Sequence, residues 1–291
     1  MTRMRDDSAL GREEIAAGLR RLGLRTGERV MVHSSLSNLG YVAGGAATVV
    51  AALQEVLTPE GTVMMPSFNH GRCCGPGGPG YFDVKETPTT NGAIPETFRR
   101  MAGVRRSWHP THAVAAWGRD AQRYTEGHHR VLTCGPGSPL AMLADDGGRG
   151  LLLGVTYKAN TYHHVVEMTT GAPCLGRRTR RIMVKLPDGR MVEGRTWGWR
   201  QRACPITDAA RYAPAMAAGH ERRGRVGAAE AILFGYRECF EVVARMLREG
   251  LGEYPPCRRC PIQPRADDQN AASDWDDAAG RLRPDSPAWS Y

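Results

Sequence analysis

The sequence predicts an α/β fold with helices on both faces of a sheet built from parallel βαβ units, and three patterns carry that prediction. Residues 30–65 run strand, polar loop, helix, turn, strand. The apolar run Leu151-Leu152-Leu153-Gly154-Val155 leads into a helical segment, Asn160 to Glu167. Pro187-Asp188-Gly189, between two strand-like runs, is a local hairpin signal. At 291 residues and 41% hydrophobic content the chain can bury a substantial core. No repeat or composition break forces a division. The expected organisation is one α/β domain over 1–256, with a strand-rich insertion around 175–200, and a C-terminal tail over 257–291.

In chain order, residues 12–24 set Ile15, Leu19, Leu22 and Leu24 at helical spacing among arginines and glutamates. Gly23, Gly27 and Glu28 turn the chain into the buried strand Val30-Met31-Val32-His33. Ser34-Ser35-Leu36-Ser37 and the glycines at 40, 44 and 45 form a loop before the helical run Ala46 to Val56. Thr58-Pro59-Glu60-Gly61 is a turn, and Thr62 to Met65 the next strand. Residues 66–92 are dense in glycine and proline, which marks a functional rim or a disordered segment. Asn91 to Met101 is helical, His112 to Trp117 a strand, and Ala121 to Glu126 and Ser138 to Leu143 short helices. Arg178 to Leu186 and Arg190 to Trp197 are strand-like. Ala228 to Phe234 and Glu238 to Leu247 carry helix and short-strand patterns. From Pro255 the chain is proline-rich and then acidic, with Asp267, Asp268, Asp274, Asp276 and Asp277, so a partly mobile tail is expected.

The formal charge of +9 comes mostly from scattered arginines. Such a surplus marks a solvated surface more often than a nucleic-acid footprint, and no nucleic-acid module accompanies it. Met1 to Glu14 is polar and no apolar run is long enough to span a bilayer, so the expectation is a cytoplasmic protein without membrane association. Eight cysteines in a chain of this length form no disulfide framework. Cys257-Arg258-Arg259-Cys260 is half a zinc site without its other half. His33, His70, His109, His112, His163 and His164 lack a His-Glu-x-x-His pattern, and no metal is expected.

The segment from Asn160 to Glu167 says most about chemistry. At a strand's carboxyl end, His164 and Glu167 stand three apart on one helical face, so the carboxylate can fix the imidazole's tautomer and raise its basicity. A pair with this spacing is often only a surface contact. Its place after a buried strand argues for a general base.

The pieces Val32-His33-Ser34-Ser35-Leu36, Gly44-Gly45, Leu57 to Thr62, Met65-Pro66-Ser67-Phe68 and Asn91 to Arg99 resemble the antibiotic (aminoglycoside) 3-N-acetyltransferase family. The likeness continues through Arg106-Ser107-Trp108-His109-Pro110-Thr111-His112, Gly135 to Leu140, Leu153-Gly154-Val155, Asn160-Thr161, His164 and Glu167. It covers roughly residues 15–170, in order. The resemblance implies a three-layer α/β/α fold around a mostly parallel central sheet with a smaller antiparallel insertion. It also implies an acetyl-CoA-dependent N-acetyltransferase, free of metal, acting on an amine of an aminoglycoside or related small molecule; a homodimer is the partner expectation, which the sequence itself leaves open. His164 and Glu167 match the family's catalytic histidine and its partner. The pantetheine arm would pass the Ser34-Ser35 loop and the segment from Ser107 to His112.

On that reading an amine loses its proton to His164 as it attacks the thioester, without a covalent acyl-enzyme. His112 is a second imidazole for the reaction, or only a strand-end residue. Donors to the developing oxyanion are sought around Ser34-Ser35 or Thr161. Cofactor contacts are expected from His33, Ser34, Ser35, Ser107 and Thr111, with the Gly44-Gly45 amides and Arg105 or Arg106 meeting phosphates. Ser34 and Ser35 could equally cap the next helix. Acceptor contacts are expected from Asn69, Asp83, Glu86, Asn160, Thr161, His163, Trp197 and Trp199.

One departure concerns the acceptor. Family members that handle polycations need acidic residues around the pocket, yet the 66–90 loop offers only Asp83 and Glu86. Arg195, Arg200 and Arg202 would oppose a highly cationic ligand if they line the cleft, while Trp197 and Trp199 could stack on a flat one. A biosynthetic N-acyltransferase for a less basic, non-aminoglycoside amine is the alternative. A CoA-cleft binder without activity and an RNA-binding protein rank below both.

Overall fold

The computed structural model describes residues 9–172, 179–197, 204–262, 275–276 and 281–282, with the backbone alone at 179–181, 195–197 and the two tail pairs. Trp199, Arg200, Arg202 and most of the proline-rich and acidic tail lie outside the described residues, as do the side chains of Arg195 and Trp197.

Seven strands form the central sheet, in the order β4 (Arg105–Arg106), β5 (Val114–Gly118), β2 (Thr62–Pro66), β1 (Arg29–Ser34), β6 (Arg149–Leu153), β10 (Ala229–Gly235) and β9 (Glu221–Val226). The elements that frame it are α1 (Arg12–Leu22), β1 (Arg29–Ser34), α2 (Gly45–Leu57) and β2 (Thr62–Pro66). After these come β3 (Tyr81–Asp83), α3 (Ala93–Phe98), β4 (Arg105–Arg106), β5 (Val114–Gly118) and α4 (Ala121–Thr125). Next are α5 (Pro139–Asp145), β6 (Arg149–Leu153) and α6 (Tyr162–Thr169). The rest are β7 (Thr179–Lys185), β8 (Met191–Trp197), α7 (Ala209–Ala217), β9 (Glu221–Val226), β10 (Ala229–Gly235) and α8 (Tyr236–Glu249).

The three layers form as expected. The period-2 alternation of β1 sends Val30 and Val32 into a core shared with α1, α2 and α3, and Met31 into the opposite core beneath α4 to α8. The expectation of a mostly parallel sheet is corrected. Only β1–β2 and β1–β6 pair in parallel, whereas β2–β5, β4–β5, β6–β10 and β9–β10 are antiparallel. The cause is in the connections. Genuine βαβ crossovers surround β1 alone. The chain re-enters at β5 from β4 by the loop Ser107–Ala113, and β10 follows β9 through the tight turn at Gly227, where φ is +58°.

β3, β4, β9 and α7 are additional to the elements read from the sequence. β9 is the arginine-rich Glu221-Arg222-Arg223-Gly224-Arg225-Val226, whose charges suit a sheet edge rather than a core strand. The insertion is a separate three-stranded sheet, β3-β7-β8, in which β3–β7 is parallel and β7–β8 antiparallel. It draws one strand from the 66–92 loop, so that loop is built structure.

Two glycines shape the approach to the site. On β6, a Cβ at Gly150 would come within 2.3 Å of the Phe234 ring on β10. Gly154 leaves the same strand with φ +71°, and its carbonyl takes the Asn38 side-chain amide at 2.6 Å. That bond ties the loop after β1 to the loop after β6.

Candidate active site

The carboxyl ends of β1 and β6 are adjacent, Ser34 opposite Leu153, so the loops that follow them share one end of the sheet. After β6 the chain makes one 3-10 turn at Tyr157–Ala159 and starts α6 at Tyr162. Asn160, fully buried, fixes that start. Its Oδ1 accepts from Tyr162 N–H at 3.2 Å, while its Nδ2 lies 3.3 Å from Tyr212 Oη on α7 and 3.7 Å from Cys239 Sγ on α8. Thr161 precedes the helix, and its carbonyl accepts from His164 N–H at 3.1 Å.

On the first turns of α6, His164 Nδ1 lies 2.9 Å from Glu167 Oε2. A carboxylate only accepts, so Nδ1 carries a proton, and in the neutral ring the lone pair is on Nε2. Glu167 is wholly buried, and its other oxygen accepts from the Thr207 hydroxyl, just before α7. Both carboxylate oxygens are therefore held by donors, which a buried charge requires. The His164 side chain is 20% exposed, enough for a ligand to reach it. His163 packs beside it with ring centroids 4.0 Å apart.

Opposite α6, the Ser107–Thr111 loop organises further imidazoles. His109 Nδ1 accepts from His112 N–H at 2.9 Å and Thr111 N–H at 3.3 Å, so its proton is on Nε2, facing Thr133 Oγ1 at 3.4 Å. His128 Nε2 donates to the Thr133 carbonyl at 3.3 Å, and its Nδ1 takes the Ser107 hydroxyl proton at 2.9 Å. Burial pushes His128 down to about 3. His112 lies on this network, with Nδ1 2.8 Å from Thr111 Oγ1 and its ring 4.8 Å from Phe68. Burial first, then the imidazoles of His70, His164 and His128, hold His112 well below the usual histidine range. A neutral ring here can donate or accept a hydrogen bond without adding charge.

His70 is a neighbour that sequence reasoning did not single out as a site residue. It is exposed, its φ is +52°, and its ring meets His112 edge-on at 5.1 Å. Nδ1 sits 2.8 Å from Thr90 Oγ1. A non-glycine residue held in the left-handed region is an unusual feature that clusters at functional sites. No periodicity could have announced it.

The loop after β1 lines a cleft of about 550 Å³ whose walls include Ser34, Ser35, Tyr41, Gly45 and Gly92. Among the described residues Ser34 Oγ, buried there, has no hydrogen-bond partner, and neither has His33 Nε2 on the strand behind it. Burial alone holds His33 down at about 4. Ser35 Oγ pairs with Ser37 Oγ at 3.1 Å. Gly44 and Gly45 both have positive φ and open the 13-residue helix α2. The Gly45 amide already donates to Val42 O at 3.0 Å.

Several residues read as ligand contacts have side chains engaged within the fold. Asn69 bonds the Pro110 carbonyl at 2.7 Å and accepts from Gly71 N–H at 2.9 Å. Asp83 accepts from the Lys85 and Glu86 amides at 2.9 and 3.0 Å and pairs with Lys185 at 3.1 Å. Arg106 spreads its guanidinium over the carbonyls of Val84, Thr87 and Ser67 at 3.0, 2.6 and 2.9 Å, clamping the 66–92 loop. Its burial lowers it to about 9. Arg105 is exposed and, with Glu86 and Trp108, borders a separate depression of about 630 Å³ that has no histidine in its wall. Among the described residues no group of three or more His, Cys, Asp or Glu side chains could hold a metal, and no helix is long and apolar enough to cross a membrane.

Known proteins share both sequence and shape with this chain. The family model described as aminoglycoside 3-N-acetyltransferase matches residues 31–248. Aminoglycoside N(3)-acetyltransferase VII of Streptomyces paromomycinus is 33% identical over 286 residues, covering 85% of this chain and 95% of that protein. The crystal structure of aminoglycoside acetyltransferase AAC(3)-Xa superposes with a TM-score of 0.74 at 32% identity, over 84% of this chain and 95% of its own. AAC-IIIb in a binary structure with CoASH gives 0.72 at 27% identity, over 86% and 100%.

Proposed function

Because the chain belongs to the aminoglycoside 3-N-acetyltransferase family, we propose that it acetylates an amine of an aminoglycoside-like acceptor by direct transfer, with His164 as general base and Glu167 as the group that holds it. It is a CoA-dependent acetyltransferase, and acetyl-CoA is its cosubstrate. The observation that carries the mechanistic reading is the 2.9 Å contact between His164 Nδ1 and a Glu167 carboxylate anchored on its far side by Thr207.

The acceptor nitrogen must present a lone pair to the thioester carbonyl carbon. Nε2 of His164 takes its proton as the C–N bond forms, and the imidazolium that results sits against a carboxylate already in place. The tetrahedral intermediate collapses with loss of the C–S bond, leaving the amide and CoA thiolate, which takes up a proton. Ser34 supports the placement of the cosubstrate beside β1, because a buried hydroxyl without a partner is costly unless a ligand completes it. Neutral His112, close enough to His164 to feel its charge, is proposed to orient the thioester or the acceptor.

A second acceptor class, a less basic amine than an aminoglycoside, is favoured by one observation. Asp83, one of two acids in the loop that could attract a polycation, is committed to Lys185 and to two amides.

The test is His164→Ala and Glu167→Gln, followed by thiol release from acetyl-CoA with a panel of amines. The first is expected to lower kcat by about 10²–10⁴-fold and the second by less, with acetyl-CoA affinity unchanged in both. Full kcat in His164→Ala would remove this mechanism.

A further inference from the structure

Cys73 and Cys74 stand in the 3-10 turn Arg72–Cys74 of the loop after β2, both as thiols, the first buried and the second exposed. Their Sγ atoms are 3.7 Å apart. That separation discriminates between two chemistries. A disulfide needs the sulfurs at about 2.0 Å and its Cα atoms usually at least about 4.4 Å apart, whereas neighbours on a trans peptide sit about 3.8 Å apart. One soft atom bonded to both sulfurs at about 2.3 Å, the length of a thiolate–zinc bond, needs them about 3.4–3.8 Å apart as the angle at that atom widens from about 95°, a pyramidal centre, to tetrahedral. The thiols already stand at the second spacing.

The turn is built around the pair. The Cys73 carbonyl accepts from Gly80 N–H at 3.0 Å, and a Cβ at Gly78 would come within 2.3 Å of the same oxygen, so glycine alone lets the chain wrap this closely. Cys73 Sγ also lies 3.4 Å from Asn69 Oδ1 as a donor. Asn69 and His70 in turn both donate their backbone N–H to the Thr111 carbonyl, each at 3.0 Å, next to His112. The dithiol is therefore connected by a short chain of bonds to the segment facing His164.

We infer that Cys73 and Cys74 form a dithiol site for a soft thiophile with two open valences, of the monosubstituted trivalent arsenical class, and that filling it impairs use of the acceptor through Asn69 and Thr111. The consequence for the acceptor rests on the mechanism proposed above; the site itself does not. Burial pushes the Cys73 thiol up to about 12, so the exposed Cys74 adds first and Cys73 closes the ring. Each sulfur forms one bond to arsenic, the arsenic–oxygen double bond is lost, and the two thiol protons leave with that oxygen as water. Arsenic stays trivalent and no oxidant is required.

The experiment treats the full chain with phenylarsine oxide. Trypsin cutting after Arg72 and Lys85 releases residues 73–85, whose cysteines are these two and no others, and this peptide is expected to carry one arsenical with loss of one water. The KM for the acceptor should rise about five-fold while that for acetyl-CoA stays constant, and a dithiol but not a monothiol should reverse the effect. Cys74→Ser should keep the basal activity and resist the reagent, whereas Cys257→Ser should remain sensitive, excluding the Cys257/Cys260 pair. An adduct elsewhere, equal inhibition of Cys74→Ser, or labelling of 73–85 with an unchanged acceptor KM overturns the inference. Retained activity in His164→Ala would instead strike the base assignment and leave the labelling result standing.

Discussion

The two faces of the central sheet are closed by different chemistry. Against α1 to α3 the covering side chains are aliphatic almost throughout, with Ile15, Leu19, Val49 and Leu53 fully buried. Against α4 to α8 the core is rich in tyrosine and cysteine, and Asn160, Glu167, His109, His128 and Thr207 are buried on the side that carries the site. An aliphatic face needs only shape, whereas every buried polar group on the other needs a partner at the right distance. The first face can thus hold the strands rigidly while the second spends its buried hydrogen bonds on orienting side chains. β1 belongs to both, with Val30 and Val32 on one side and Met31 on the other.

The contrast predicts opposite responses to truncation. Leu53→Ala should cost about 2–5 kcal/mol of unfolding free energy and leave kcat of the folded enzyme intact. Thr207→Val deletes the donor to Glu167 Oε1 and should cost less, about 1–3 kcal/mol, while lowering kcat. Chemical denaturation and initial rates on the same preparations measure both. If Leu53→Ala lowered kcat as much as Thr207→Val, the two faces would not be separable in function.

The next effect is a pH dependence confined to the polar face. His33 and His128 are depressed by burial to about 4 and about 3. In the unfolded chain each titrates near about 6.5. Between those values the unfolded state binds protons that the folded state refuses, so stability falls as pH drops below about 6.5 and is level above it. Each ring contributes a slope of up to about 1.4 kcal/mol per pH unit. Urea unfolding at a series of pH values should show this loss, and His128→Asn, which retains an acceptor for the Ser107 hydroxyl, should reduce it by that ring's share. A slope unaltered by that substitution would mean the ring is not neutral in the folded protein.

How much of this was legible beforehand follows from the range of the interactions. The βαβ unit around β1 and the spacing of His164 and Glu167 depend on periods of two and 3.6 residues, which a sequence displays directly. Strand direction at β5 and β10 does not. It depends on where the chain re-enters the sheet after long excursions, and assuming that the parallel unit propagated gave the wrong balance. The same limit applies within the site. Thr207 is 40 residues from Glu167, and the only local signal nearby is Asp208, whose side chain caps α7. Asp83 reads as an acceptor contact because it is one of two acids in the glycine-rich loop, and Arg106 as a phosphate contact because it adjoins Ser107. In the fold that loop contains β3, and its own buried carbonyls and amides take up those side chains.

His70 gives the smallest and most discriminating effect, because it stands where the polar face meets solvent. Its backbone occupies a region that asparagine tolerates better than most residues, so His70→Asn should leave the melting temperature level or slightly raised. The substitution removes the ring that meets His112 at 5.1 Å and, with it, a surface at the mouth of the site. Burial and the nearby Arg72 hold that ring below the usual histidine range, so at neutral pH it offers an uncharged edge to an incoming amine or hydroxyl. Losing one such contact should raise the acceptor KM by about 5–10-fold, the equivalent of one ordinary hydrogen bond, with kcat and the KM for acetyl-CoA unchanged. A fall in melting temperature with an unchanged acceptor KM would mean that the bond to Thr90 only holds the loop. In that case the polar face would end at His112, and the exposed rim would belong to the scaffold.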